Sequence, residues 1–247
     1  MYGWRAKIGL IIPANNTVIE PELWHLVPDG VSVHATRLIV EGPFTPEALD
    51  RMQRGTARAV EELVQSEVGV IVYACMSTSL AKGRAWDDAL PEGVLGGRDI
   101  RMFSAASATM EALRHLGVRR PAVISPYPAA IHPLIGPFFA AHGLEVTAGR
   151  HMEIADYHAV VRVRPQEVYR FARSSDMGDA DGICILATDL RTVEIIEALE
   201  HDTGLPVVTT NQAILWKALA SAGITGWLDG VGRLFRSHPR QANRGDP

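Results

Sequence analysis

Cys75 follows the apolar run Val68-Gly69-Val70-Ile71-Val72-Tyr73-Ala74 and opens the string Cys75-Met76-Ser77-Thr78-Ser79. A thiol and three hydroxyl residues, between a strand-like run and a helix-like one, stand where open α/β sheets bind small ligands. The thiolate is the reactive form, and an unassisted thiol is mostly protonated at neutral pH. Successive backbone N–H groups from Met76 to Ser79, at the start of a helix, would favour an anion, and the helix dipole adds to them. The same donors, with the hydroxyls of Ser77, Thr78 and Ser79, could instead hold a substrate carboxylate or an enolate oxygen. The bland counterpart is a strand-end cysteine buried for packing alone.

Other candidates are weaker by themselves. Asn16 and Asn211 each follow an expected strand, where an amide either binds a carboxylate or closes a turn and caps the next helix. Tyr127 lies between Pro126 and Pro128, a stiff loop that either aims the phenol into a cleft or packs it on the surface. Cys184, flanked by Ile183 and Ile185, reads as strand interior. His151, Glu153, Asp156 and His158 are of metal-ligand type, but alternate residues of a strand face opposite ways, and no metal is expected there. Gly93, Gly96 and Gly97 lack the strand before and helix after that a dinucleotide fingerprint requires, and neither a P-loop nor a Gly-x-Ser-x-Gly elbow occurs. No cofactor is expected.

The elements that must position these residues alternate regularly. Strand-length apolar runs lie at Lys7–Pro13, Ser32–Val40, Val68–Ala74, Ile100–Phe103, Arg120–Ser125, Glu145–Gly149, Gly182–Ala187 and Pro206–Thr210. Between them, helical patterns run near Thr45–Ser66, Thr78–Leu90, Ala105–Leu116, Pro128–His142, Arg164–Arg173, Leu190–Thr203 and Asn211–Ala222. This order predicts an α/β protein whose parallel sheets carry helices on both faces. Thr45-Pro46-Glu47 is a strong helix start, with a capping hydroxyl, proline in the first turn and an early acid.

The chain also resembles itself. Val68-Gly69-Val70-Ile71-Val72-Tyr73-Ala74-Cys75 matches Asp181-Gly182-Ile183-Cys184-Ile185-Leu186-Ala187-Thr188, and Phe103-Ser104 mirrors Thr209-Thr210 ahead of a helix. This likeness predicts two pseudo-symmetric, flavodoxin-like lobes with a site in the cleft between them. The expected division puts 1–104 and 211–235 in the first lobe, 105–210 in the second, and a disordered tail at 236–247.

With 247 residues, 47% hydrophobic and 21% charged, the chain can bury a large core, and its net charge of −4 argues against nucleic acid. No apolar run is long enough for a membrane span. Two cysteines without framework spacing, and an N-terminus lacking signal-peptide regions, point to free thiols in a reducing cytoplasm.

Taken in order, these strings resemble the aspartate/glutamate racemase superfamily, in particular its maleate cis-trans isomerase and arylmalonate decarboxylase branches. Ile8-Gly9-Leu10-Ile11-Ile12-Pro13-Ala14-Asn15-Asn16-Thr17 is similar to the isomerases' first strand and turn, which places a carboxylate-binding asparagine at Asn16. Tyr73-Ala74-Cys75 matches the strand bearing the first catalytic cysteine, and Ser125-Pro126-Tyr127 the stretch with a substrate-contacting tyrosine. Leu190-Arg191-Thr192-Val193-Glu194, Thr210-Asn211-Gln212 and Gly232-Arg233-Leu234-Phe235 resemble later signatures. Two positions depart from the family. The second cysteine falls on Ala187, followed by Thr188-Asp189-Leu190-Arg191-Thr192, and a second carboxylate-binding asparagine becomes Tyr157.

The resemblance implies a cofactor-independent isomerase that acts on a small carboxylate or dicarboxylate through Cys75 and assembles as a homo-oligomer. Cys75 would add to an electron-poor alkene carbon, allow rotation and leave again. Tyr127, Thr188 or water would fill the second cysteine's part. Asn16, Met76, Ser77, Thr78, Ser79, Tyr157 and Asn211 would bind substrate. The alternatives are an arylmalonate-type decarboxylase, an amino-acid racemase, or a non-catalytic small-acid-binding protein on the same scaffold. A racemase wants a competent group on each face, and Ala187 leaves one face without its usual thiol.

Overall fold

A computed structural model describes residues 2–225 and 228–236. Among the described residues, eight strands form two parallel sheets. The first holds β1 (Ala6–Pro13), β2 (Val31–Leu38), β3 (Val70–Tyr73) and β4 (Arg101–Ser104). The second holds β5 (Pro121–Ser125), β6 (Ala148–His151), β7 (Gly182–Ile185) and β8 (Val207–Thr209). The strand orders are β2-β1-β3-β4 and β6-β5-β7-β8, the same winding twice. The internal likeness of the sequence is thus a repeated topology, with β3 and β7 in equivalent places. Strands β1, β3, β5 and β7 are interior and largely apolar; Ile8, Leu10, Ile11 and Ile12 of β1 are fully buried. Such runs are the consequence of a parallel sheet covered on both faces.

The helices are α1 (Ile19–Leu26), α2 (Pro46–Gln53), α3 (Thr56–Gln65), α4 (Met76–Lys82), α5 (Arg84–Leu95), α6 (Ala105–His115), α7 (Ile135–Ala141), α8 (Tyr157–Val160), α9 (Pro165–Arg173), α10 (Ile196–Thr203), α11 (Thr210–Ser221) and α12 (Arg233–Arg236). Two long expected helices are each split. The stretch 45–66 breaks at Arg54 and Gly55, between α2 and α3, and the stretch after Cys75 breaks at Gly83. Gly83 has φ of +82°, a conformation open to glycine at little cost, so it ends α4 after seven residues and turns the chain into α5. The start of α2 is as expected: Thr45 caps it, its hydroxyl accepting from Ala48 N at 3.4 Å. The strand expected at 145–149 lies later, at β6, which brings His151 to the strand end.

The two sheets meet through α6 and α11, which pack on each other; α11 also reaches β3 and α1. Helix α11 is buried along almost its whole length, from Thr210 to Leu219. Its start is fixed by Gln212, whose Oε1 accepts from Thr209 N at 3.0 Å. The last described segment packs back on the second sheet: Glu200 of α10 accepts from Arg233 N at 2.9 Å, and Leu234 and Phe235 are buried. Arg236, expected to begin a disordered tail, closes α12 and pairs with Glu197. The rest of that tail lies outside the described residues.

Candidate active site

The C-terminal ends of β1, β3, β5 and β7 converge on one small cavity lined by Pro13, Asn15, Val40, Phe44, Leu49, Met52, Cys75, Met76, Ser77, Tyr127, Tyr157, Thr188 and Asp189. Both lobes contribute to its wall. Only about 20 Å³ is open, room for about one water molecule. A larger concavity of about 610 Å³ lies between Thr17, Pro21, Glu22, His25, Arg191 and Glu194, but it contains neither cysteine and none of the expected catalytic groups. The smaller cavity is the one that gathers Cys75, Tyr127 and Thr188, and it is the candidate site.

Cys75 is the residue before α4, in extended backbone (φ −136°, ψ 98°), and its side chain is 3% exposed. Its sulfur lies 3.2 Å from Thr78 Oγ1 and 3.5 Å from Ser77 Oγ, and the Thr78 N–H also points to it. These donors favour a thiolate, but burial outweighs them and the nearby Asp189 opposes ionisation, so the thiol pKa is pushed up. At rest Cys75 is a protonated thiol, not the ready thiolate expected of a sulfur beside so many donors. Cys184 is interior to β7, as expected, and burial pushes its thiol far up.

Tyr127 and Tyr157 reach the cavity from the second lobe and are bridged by Phe44 of the first. The Phe44 ring stacks on Tyr157 at 4.5 Å between centroids and meets Tyr127 edge-on at 5.8 Å. Phe44 is 6% exposed and closes the cavity from the β2–α2 loop, where the Tyr157 hydroxyl donates to Pro43 O at 3.4 Å. Burial keeps both phenols neutral: Tyr157 is pushed up to about 12, and Tyr127 is raised well above the usual phenol range. Behind Tyr127, its carbonyl faces His151 Nδ1 at 3.2 Å, and His151 stacks on His132 at 4.0 Å. Among the described residues no three His, Cys, Asp or Glu side chains are grouped to hold a metal. His151 is engaged in that stack, and Asp156 caps α8 by accepting from His158 N at 2.9 Å.

Of the expected site residues Met76, Ser77, Tyr127, Tyr157 and Thr188 line the cavity with Cys75, and the other four do not. The Asn16 Nδ2 donates to Thr188 Oγ1 at 3.0 Å, and its Oδ1 accepts from Val18 N and Ile19 N at 2.9 and 3.2 Å. Asn16 thus caps α1 and ties the lobes together, while its neighbour Asn15 takes the cavity wall. Both polar atoms of the Asn15 amide are buried with no hydrogen-bond partner in the protein. Thr78 is turned to the sulfur, and the Ser79 hydroxyl faces the buried Asp87 carboxyl on the far side of α4. Asn211 donates both of its amide protons elsewhere, to Glu22 Oε2 at 2.7 Å and to Thr188 O at 3.0 Å. Glu22 also accepts from Thr192 N at 2.9 Å, so Asn211 belongs to a clamp across the seam.

Sequence reasoning missed Asn15, Phe44 and Asp189. Asp189 is partly buried at the cavity wall, and burial pushes its carboxyl up to about 6. Its signal was visible only as an acid inside the string after Ala187. Ala187 itself has φ of +99°, a strained conformation for a residue with a Cβ and one that clusters at functional sites. Among the described residues no Lys, Arg or His lines the cavity, so an anion there would be held by neutral donors alone.

The chain is similar to known proteins over nearly its whole length. The maleate isomerase of Nocardia farcinica is 28% identical over 240 residues, covering 93% of this chain and 95% of that protein. The crystal structure of a Pseudomonas putida S16 maleate isomerase variant with maleate superposes with a TM-score of 0.89 at 25% identity, covering 94% of this chain and 98% of that one. A Nocardia farcinica maleate cis-trans isomerase mutant, cysteine to serine and holding a covalently bound succinylcysteine intermediate, superposes with a TM-score of 0.87 at 27% identity over 94% and 98%. The family model described as arylmalonate decarboxylase matches residues 8–235, nearly the whole described chain, and places this protein in that family.

Proposed function

We propose that the protein is an isomerase of maleate-isomerase type, which interconverts the cis and trans forms of a small unsaturated acid through Cys75. The position of the Cys75 sulfur, in a cavity walled by both lobes and backed by the Ser77 and Thr78 donors, carries this reading. The sulfur adds to an alkene carbon, and the π electrons move onto the conjugated carboxyl as an enediolate. The former double bond is then single and rotates. Return of the electron pair expels the thiolate and leaves the other isomer. The Asn15 amide, the Ser77 hydroxyl and the Tyr127 hydroxyl are the neutral donors available to the carboxyl oxygens, and they contribute most where charge develops. Asn16 and Asn211 support the reaction from outside by holding the lobes in register.

Incubation with maleate, with fumarate detected by proton NMR, tests this. Turnover that disappears in Cys75→Ala supports it; a wild-type protein that binds maleate without converting it supports a binding role instead.

A second reading is decarboxylation of a substituted malonate. The wall formed by Val40, Phe44, Leu49, Met52 and Met76 is an apolar place from which a carboxylate would lose carbon dioxide and against which an aryl group would pack. Carbon dioxide release from an arylmalonate, without alkene isomerisation, selects it.

A further inference from the structure

From the shared cavity of Cys75, Thr188 and Asp189, we infer that Asp189 is the proton carrier of the second lobe, taking the place of the thiol absent at Ala187. The inference rests on the cysteine-addition reading above and adds the group that makes the thiol usable.

Cys75 at rest is a buried thiol whose three donors do not overcome desolvation, so something must accept its proton as it attacks. The titratable groups of the cavity are Cys75, Asp189, Tyr127 and Tyr157; Cys184 is fully buried in β7 and does not line it. Both phenols are held neutral by burial, and a neutral phenol is too weak a base to take the proton. The Thr188 hydroxyl is already committed, donating to Ala74 O at 3.1 Å and accepting from Asn16. Asp189 is the remaining titratable group of the cavity that can take up a proton at neutral pH. Cys75 and Asp189 share the wall of this small cavity, and the Asp189 charge is felt at the Cys75 thiol, so the proton passes between them directly or through one water. Burial has also moved Asp189 to about 6, close to the range in which a carboxylate both accepts and returns a proton.

The step balances without any further reagent. The Asp189 carboxylate takes the S–H proton as the sulfur lone pair forms the S–C bond and the π pair moves onto the substrate carboxyl. The protonated Asp189 then donates a hydrogen bond to the enediolate oxygen while the single bond rotates. On reversal the S–C bond breaks, the π bond reforms, and the proton goes back to sulfur. Asp189 and Cys75 thus share one proton throughout, and the active form of the free enzyme is the one with Asp189 ionised and Cys75 protonated.

Two measurements test this on the full chain. In Asp189→Asn, checked for native fold by far-ultraviolet circular dichroism, kcat/KM is expected to fall about 10²–10⁴-fold. The wild-type rise of kcat/KM as pH increases through about 6 should vanish with it. Wild-type kcat/KM with the rise intact in Asp189→Asn overturns the proposal, while loss of turnover only in Cys75→Ala leaves the isomerase reading standing. The second measurement needs no substrate: the thiolate absorbance of Cys75, taken as the difference from Cys75→Ala, is titrated in both backgrounds. The midpoint should move down in Asp189→Asn because a neighbouring negative charge is gone, and an unmoved midpoint overturns Asp189 as the partner even if no tested acid is turned over.

Discussion

Thr188 of the second lobe donates its hydroxyl proton to the carbonyl of Ala74, the residue directly before Cys75, at 3.1 Å. The same Thr188 oxygen accepts from Asn16 Nδ2 at 3.0 Å. One buried hydroxyl therefore fixes the backbone that carries the sulfur to the turn after β1 and to the strand end of β7. Replacing Thr188 by valine keeps the shape and leaves the Ala74 carbonyl and the Asn16 amide unpaired. Unfolding in urea should show a loss of about 1–3 kcal/mol. Unchanged stability would mean that water replaces the hydroxyl.

Cys75→Ala should remove activity by at least about 10³-fold, because the sulfur is the one thiol on the cavity wall among the described residues. Thermal unfolding should change little, since the side chain lost is small. Residual turnover near the wild-type rate would transfer the chemistry to another group.

Phe44 closes the cavity against two tyrosines, and its displacement is the expected way in for a substrate larger than one water. Phe44→Ala should cost about 3 kcal/mol of stability through lost aromatic packing. It should also speed alkylation of Cys75 by iodoacetamide, read out by mass spectrometry. Equal alkylation rates in both proteins would show that access does not run past Phe44.

Asp189 titrates at a higher pH folded than unfolded, about 6 against 3.8. The folded state therefore holds the proton longer, and stability falls as pH rises between those values, then stays level above about 6. Glu22, Asp87 and Glu200 are also raised by burial and add slopes of the same sign. The difference between wild type and Asp189→Asn isolates one contribution. Denaturation midpoints measured from pH 4 to pH 7 should fall less steeply in the variant. Parallel curves would place Asp189 in solvent.

Ala187 sits at φ +99° where β7 ends, a geometry that glycine adopts freely. Ala187→Gly should relieve strain and raise stability by up to about 1 kcal/mol, the gain being reduced by the extra freedom of glycine in the unfolded chain. A loss of stability would show that the Ala187 methyl packs more than it strains.

The sequence alone determined the strand-helix alternation, the internal likeness between the segments at Gly69 and Gly182, and the placing of Cys75 at a strand end. Each rests on local chemistry: apolar runs make buried parallel strands, and the next few residues decide how each strand ends and turns into a helix. Tertiary structure alone decided which of Asn15 and Asn16 faces the cavity, because adjacent residues in a turn point apart and only the docked second lobe, through Thr188, selects one. It also decided that Asn211 serves a clamp with Glu22 rather than the cavity, a contact between residues far apart in the chain. The protonation of Cys75 and the raised carboxyl of Asp189 were likewise beyond the sequence. Both depend on how much water the two closed lobes exclude, and exclusion is a property of the assembled cavity rather than of any segment.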